Sequence, residues 1–363
     1  MTACASPATL PHADVFVAGT DGVHTYRIPA LLVAPGGSLL AFCEARKVAL
    51  RDASPTDLVL KRSTDGGHSW GPLQRVVVGQ GDEAIMNPCP VVDGKTVLLF
   101  CMNAHKTEAG RHRHLLVRSA DDGATWSAPV DITEAIGNDT FISGPGVGIR
   151  MQNGRLVIPG YTNVYAPDRT RLASYSGVVF SDDGGRSWRV GQPVDYPMSN
   201  ESQVVELDDG SLMLNWRVQK KGDDHPGFRG KVISLDGGAT WSAPTLDRGL
   251  PEWPCQAGLA RVRPDGGSGR SRLIFSNPEP NPGKGRSRMT VRASEDDGRT
   301  WPFARLIHEG PAAYSTPAVL PDGRLGLLYE CGEQIPYERI RFACFPWDWL
   351  RQAKGEPHHA DTN

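Results

Sequence analysis

The chain has 363 residues, 39% of them hydrophobic, and a formal net charge of −2. That is enough apolar side chain for a large core. It is too little charge for a global field that would draw nucleic acid or acidic membranes, so no nucleic-acid partner is expected and any anion must be met by a local cluster. Seven cysteines without a CxxC pair or a zinc spacing, and an N-terminus "MTACASPATLPHADVF" with neither a basic nor an apolar signal region, give the expectation of a reduced, cytoplasmic protein, or a secreted one if a signal once preceded this sequence. No run is long enough for a transmembrane segment.

In chain order, an early strand-like segment, "ADVFVAG", is followed by a strand pair around a Gly turn, "IPALLVAPGGSLLAFCEAR". A third strand "DLVLKR" runs into the phrase "STDGGHSW" at Ser63 and leaves it as a fourth, "GPLQRVVV". The same grammar returns as "CPVVDGKTVLLFCMN", "HLLVR", "SADDGATW" at Ser119 and "SAPVDI", and again as "GVGIRMQNGRLVIPGY", "YSGVVF", "SDDGGRSW" at Ser181 and "RVGQPV". It continues as "SQVVELDDGSLMLNWR", "GKVI", "SLDGGATW" at Ser234 and "SAPTL", then as "GLARVRPDGGSGRSRLIFSN", "MTVRA", "SEDDGRTW" at Ser294 and "PFARLI". A last unit has "PAVLPDGRLGLLYE" and "ERIRFACF" but no phrase, and "WDWLRQA" reads as one short helical turn.

A period of roughly 50–60 residues belongs to propellers and solenoids. Six units of four antiparallel strands, the last completed by the early segment, predict an all-β, six-bladed β-propeller. It forms a single domain over 12–350, with polar tails at 1–11 and 351–363. The phrase is a hairpin turn between third and fourth strands. Its Ser and Asp bind turn backbone, its Gly takes positive φ, and its Trp packs into the core. It is scaffold.

The opposite rim gathers first-strand starts and second-strand ends. There lie Arg27, Asn87, Glu201, Gln256 and Tyr314, then Glu44, Arg46, Tyr161, Arg217 and Glu330, with Asp52 and Arg286 in loops. Any one of these, alone, reads as a solvated strand end. Together they place guanidinium groups from three separate blades at one mouth, an arrangement that an anionic ligand would complete.

At these residues the sequence resembles the sialidases (exo-α-sialidases, neuraminidases). The marks are "YRIP" at Tyr26 and the five phrases, which that family calls Asp boxes, and the likeness runs from about Arg27 to Glu330. The resemblance implies a retaining glycoside hydrolase that removes terminal α-linked sialic acid from sialylated glycans. It makes Arg27, Arg217 and Arg286 the carboxylate clamp, Asp52 the acid/base, Tyr314 the nucleophile and Glu201 its activator. Glu330 becomes the carboxylate that steadies the first arginine. Arg46, Met86, Asn87, Tyr161 and Gln256 resemble pocket residues around the sugar. No metal or cofactor is expected, because the arginines supply the positive charge.

Arg288 competes with Arg286 for the third clamp position, and Glu44 and Asp57 compete with Asp52. Other readings are a trans-sialidase with Trp253 as acceptor platform, a hydrolase for the deaminated sugar, and a sialic-acid-binding propeller without catalysis.

Overall fold

Apolar runs rich in β-branched and aromatic residues become strands here because they pack on two faces, and Gly-centred turns fold each run back on the last. The computed structural model describes residues 10–352 apart from 53, 105–111, 139, 169, 220–224 and 264–270; most of the expected tails therefore lies outside the described residues. In chain order the elements are β1 (His12–Val17), β2 (Thr25–Val33), β3 (Leu39–Arg46), β4 (Thr56–Ser63), β5 (Gln74–Val77), β6 (Ala84–Asp93), β7 (Thr96–Ala104), β8 (Arg113–Ser119) and β9 (Val130–Asp131). After α1 (Thr133–Ile136) come β10 (Phe141–Ser143), β11 (Ile149–Arg150), β12 (Leu156–Tyr165), β13 (Arg171–Ser181), β14 (Arg189–Val190), β15 (Ser199–Glu206), β16 (Leu212–Val218), β17 (Phe228–Ser234) and β18 (Thr245–Pro251). The chain continues through β19 (Gly258–Val262), β20 (Arg272–Glu279), β21 (Ser287–Ser294), β22 (Phe303–Val319), β23 (Leu325–Cys331) and β24 (Arg339–Phe345) to α2 (Trp347–Arg351).

The fold is all-β. Among the described residues the strands form sheets of seven, five, four and eight strands. Sequence neighbours that pair do so antiparallel. The eight-stranded sheet joins β2–β5 to β6–β9 through one parallel pairing, Thr56 with Ala84. The seven-stranded sheet arises because β22 serves twice: residues 303–311 close onto β21, and 312–319 open onto β23. β1 pairs with β24, the place expected for the left-over early segment. The "WDWLRQA" turn is α2, while the four-residue α1 carries no pattern long enough to read in advance.

The third unit departs from the expected pattern: its first strand does not run continuously from "GVGIR" but is split into β10 and β11, both against β12. The intervening Gly144-Pro145-Gly146 leaves the ladder, and Gln203 fills the break, donating to Pro145 O at 2.7 Å and accepting from Val147 N at 3.4 Å.

Core side chains pack between adjacent groups. Leu40, Phe42, Leu58 and Leu60, for example, meet Ile85, Leu99, Leu115 and Val117. The five phrases link the third and fourth strands as expected, and each seals such a seam. In the first, Gly67 N donates to Ser63 Oγ at 2.9 Å and Ser69 N to Asp65 Oδ1 at 2.9 Å. Gly67 has φ 91°, and a Cβ there would lie 2.1 Å from the Phe342 ring, so no other residue fits. Trp70, Trp126 and Trp188 stack edge-on against Phe342, Phe42 and Phe100 of the preceding group. No helix among the described residues is long and apolar enough to cross a membrane.

Candidate active site

The strand ends remote from the phrases carry the polar cluster. In the first group Leu39 pairs with Ser63 at the phrase end, and Arg46 with Thr56 at the other. Here four first strands each hold one extra residue. The ladder skips from Arg27 to Ala30, Met86 to Cys89, Ser199 to Ser202 and Ala312 to Ser315, against a two-residue step on the partner. Such bulges bend a strand and re-aim its side chains. They contain or flank Arg27, Met86 and Asn87, Glu201, and Tyr314. Ile28 (φ 60°) and Asn87 (φ 54°) are left-handed, each before a proline. For a β-branched residue that conformation is strained by about 1–3 kcal/mol, and the surroundings must hold it.

Buried carboxylates do the holding. Glu330 accepts from Arg27 Nε at 2.7 Å and from Ile28 N at 2.8 Å, and its other oxygen takes Tyr314 N at 3.1 Å. One side chain thus fastens two bulges and an arginine. Glu44 does the same nearby: it accepts Asn87 N at 3.0 Å and holds Arg46 at 2.8 Å. Arg46 Nη2 also reaches Asp52 at 2.7 Å, whose side chain is 78% exposed on its loop.

At the centre, Tyr314 Oη donates to Glu201 Oε1 in a short contact, and Arg217 Nη1 lies 2.7 Å from Glu201 Oε2 and 3.4 Å from Tyr314 Oη. The Arg27 and Arg286 guanidinium carbons stand 5.3 and 5.5 Å from the centre of the same ring. Burial, then the Glu201 charge, pushes the Tyr314 phenol well above its usual range against the pull of Arg217 and Arg286. Burial alone would lower the three arginines, but carboxylate, phenol and thiol neighbours outweigh it and hold them raised: chiefly Glu330 for Arg27, Glu201 for Arg217, and Cys255 with Tyr314 for Arg286. Tyr161 faces the same charges; burial first, then Glu201, raises its phenol.

The competing assignments separate cleanly. Arg286 donates to Pro254 O at 2.9 Å and joins the cluster, whereas Arg288 pairs with Glu309 and Glu279 away from it. Asp57 is buried against Lys47, Arg75 and Gly79 N. Glu44 is committed to Arg46 and Asn87. Gln256 uses both ends of its amide on the Ser315 backbone, at 3.0 and 2.9 Å, and so fixes the strand beside Tyr314. Met86 lies at the edge of its bulge, beside Asn87.

Two residues escaped the sequence reading. Tyr337 packs its ring 4.0 Å from the Arg27 guanidinium carbon and accepts from Arg286 Nη1 at 3.3 Å. Cys255 is buried beside Tyr314, and burial pushes its thiol up to about 11. Tyr337 sits in "EQIPYERI", a loop with no repeat partner, and only proximity reveals it.

An all-β scaffold of repeated strand groups with a buried guanidinium–phenol cluster at one rim defines a BNR-type protein, and the BNR repeat-like domain family matches residues 29–327. Two curated relatives are the sialidase of Micromonospora viridifaciens, 35% identical over 93% of this chain and 54% of that protein, and human sialidase-3, 31% identical over 88% and 89%. The solved structure of the Hadza microbial sialidase Hz136 superposes with a TM-score of 0.81 at 29% identity, covering 93% of this chain and 69% of that one. The chain spans about half the length of the first of these relatives. It belongs to the sialidase family.

Proposed function

We propose that this chain is a retaining exo-α-sialidase built as a six-bladed propeller over residues 12–350. Four antiparallel groups, a β22 shared between two further groups, and β1 completing the last one support the six-blade reading. The observation that carries the activity is Tyr314 hydrogen-bonded to Glu201 with Arg27, Arg217 and Arg286 around it.

Terminal sialic acid bears a carboxylate on its anomeric carbon. The three arginines bind that carboxylate and fix the ring over the phenol. A carboxylate nucleophile would be repelled by the substrate's own charge. A phenol is not, and sialidases with a tyrosine nucleophile are a known exception to the two-carboxylate scheme. Glu201 takes the Tyr314 proton as Oη bonds to the anomeric carbon, and Asp52 protonates the departing glycosidic oxygen as that bond breaks. Asp52 then removes a proton from water, which attacks the same carbon; the Tyr314–carbon bond breaks and Glu201 returns the proton. Two displacements retain configuration. Buried, unpaired Cys43, Cys89, Cys101, Cys255, Cys331 and Cys344 support a reducing compartment for the protein.

Incubation with a sialyllactose, followed by proton NMR, tests the reading. Free sialic acid released first as the α-anomer is the expected result. First release of the β-anomer overturns retention, and sugar moved onto added methyl β-lactoside instead of water overturns hydrolysis in favour of transfer.

A further inference from the structure

Behind Arg217 lies an ion pair that the reaction above does not use. Arg229 and Glu252 are each fully buried, with side chains 0% exposed, and they pair through Arg229 Nη1 and Glu252 Oε1. Burying two charges costs several kcal/mol each, and such pairs are commonly replaced by packed apolar side chains without loss of stability. Stability is therefore a poor reason for this pair. Its remaining bonds give a better one.

On one side it grips β16 around Arg217. Arg229 Nε donates to Asn215 Oδ1 at 2.8 Å, and Glu252 Oε2 accepts Val218 N at 3.0 Å. Gly230 opposite Trp216 has no room for a Cβ, which would lie 1.9 Å from the indole, so β16 and β17 are pressed together at that point. On the other side Arg229 Nη1 donates to Cys255 O at 3.0 Å. The segment it holds there, residues 252–256, fixes the rest of the cluster: Pro254 O accepts Arg286, the Cys255 side chain packs beside Tyr314, and Gln256 clasps Ser315. Arg217, Arg286 and Tyr314 come from β16, the loop before β21 and β22, and this pair is where their supports meet.

We propose that Arg229 and Glu252 are positioning residues that set Arg217, Arg286 and Tyr314 in register for an anionic sugar; this rests on the sialidase reading. A planar guanidinium tied at once to Glu252, Asn215 and Cys255 suits the task, since its several bonds define one arrangement.

The test uses the full chain, a fluorogenic α-sialoside for turnover, calorimetry with free sialic acid for affinity, and thermal melting. Wild type is measured first: no turnover removes the hydrolase reading and leaves affinity for free sialic acid to decide the present one. The double variant Arg229→Met with Glu252→Leu replaces the pair by apolar side chains. It is expected to stay folded but melt several degrees below wild type, because Val218 N, Asn215 Oδ1 and Cys255 O lose their partners, to lose about 30-fold or more in kcat, and to bind free sialic acid about tenfold more weakly. Arg229→Lys keeps the charge without the fork and is expected to fall between the two. A folded double variant with wild-type kcat and affinity overturns the proposal. So does unfolding of both variants, which would make the pair an element of the fold.

Discussion

The two rims use carboxylates in opposite ways. In the phrase turns Asp65, Asp121, Asp183, Asp236 and Asp296 bind groups within four residues of themselves, such as Thr240 N to Asp236 at 2.9 Å, and stand largely in water. At the site Glu330 is buried and its partners Arg27 and Ile28 lie 303 and 302 residues away; Glu201 meets Tyr314 across 113. A carboxylate satisfied locally can be copied unit by unit and stabilises each turn by itself. A carboxylate satisfied at long range is satisfied only when the distant strands have come together, so each such residue is unique and can serve chemistry.

The contrast predicts large activity losses without stability losses at one rim, and the reverse at the other. Tyr314→Phe should lower kcat by about 10³-fold or more on a fluorogenic α-sialoside, with little change in melting temperature. Near-normal turnover would remove Tyr314 from the nucleophile role. Arg286→Ala removes one charge-assisted contact of about 1.5–3 kcal/mol and should lower kcat/KM by about 10- to 100-fold. Arg288→Ala should leave it within about twofold, and the opposite ranking would exchange the two arginines.

Tyr337 sharpens the comparison, since it acts on the clamp from the side. Tyr337→Phe keeps the ring against Arg27 and frees Arg286 Nη1, and should raise KM about threefold. Tyr337→Ala loses the cation–π contact as well and should raise KM about tenfold. Equal effects would mean that the ring contact is idle.

The smallest effect belongs to the phrases. Hydrogen bonds from Thr240 and Ser234 outweigh burial and hold the Asp236 carboxyl at about 2, below its unfolded value of about 4. A depressed carboxyl stabilises fully above the unfolded value and ceases to as pH falls through the folded one. Asp236→Asn should therefore lower the melting temperature by about 1–3 °C at pH 7, where water competes for this exposed group, with activity unchanged. The gap to wild type should close between pH 4 and pH 2.

The same division explains what was legible. Turn chemistry is local, so the phrases, the strand pairs and the β1–β24 closure could be read from spacing and alternation. The rim could be collected because strand direction alternates. The bulges at Ile28, Asn87, Glu201 and Tyr314 were not legible: one extra residue leaves no mark on an alternating pattern, and what forces it is a carboxylate from another strand. Tyr337, the Arg229–Glu252 pair and the engagement of Gln256 with Ser315 were hidden for the same reason, since their partners are chosen by the tertiary fold. Loop spacing favours Arg286 over Arg288, and the structure places Arg286 beside the Tyr314 ring and Arg288 against Glu279 and Glu309.

The bond between Arg27 and Glu330 has a consequence for synthesis. A ribosome delivers Arg27 about three hundred residues before Glu330, so a nascent chain that still lacks Glu330 can fold its turns but cannot complete the clamp. Every truncated product that stops short of Glu330 should be inert toward an α-sialoside, however well its earlier strands are formed, and competence should arrive in one step once Glu330 is in place.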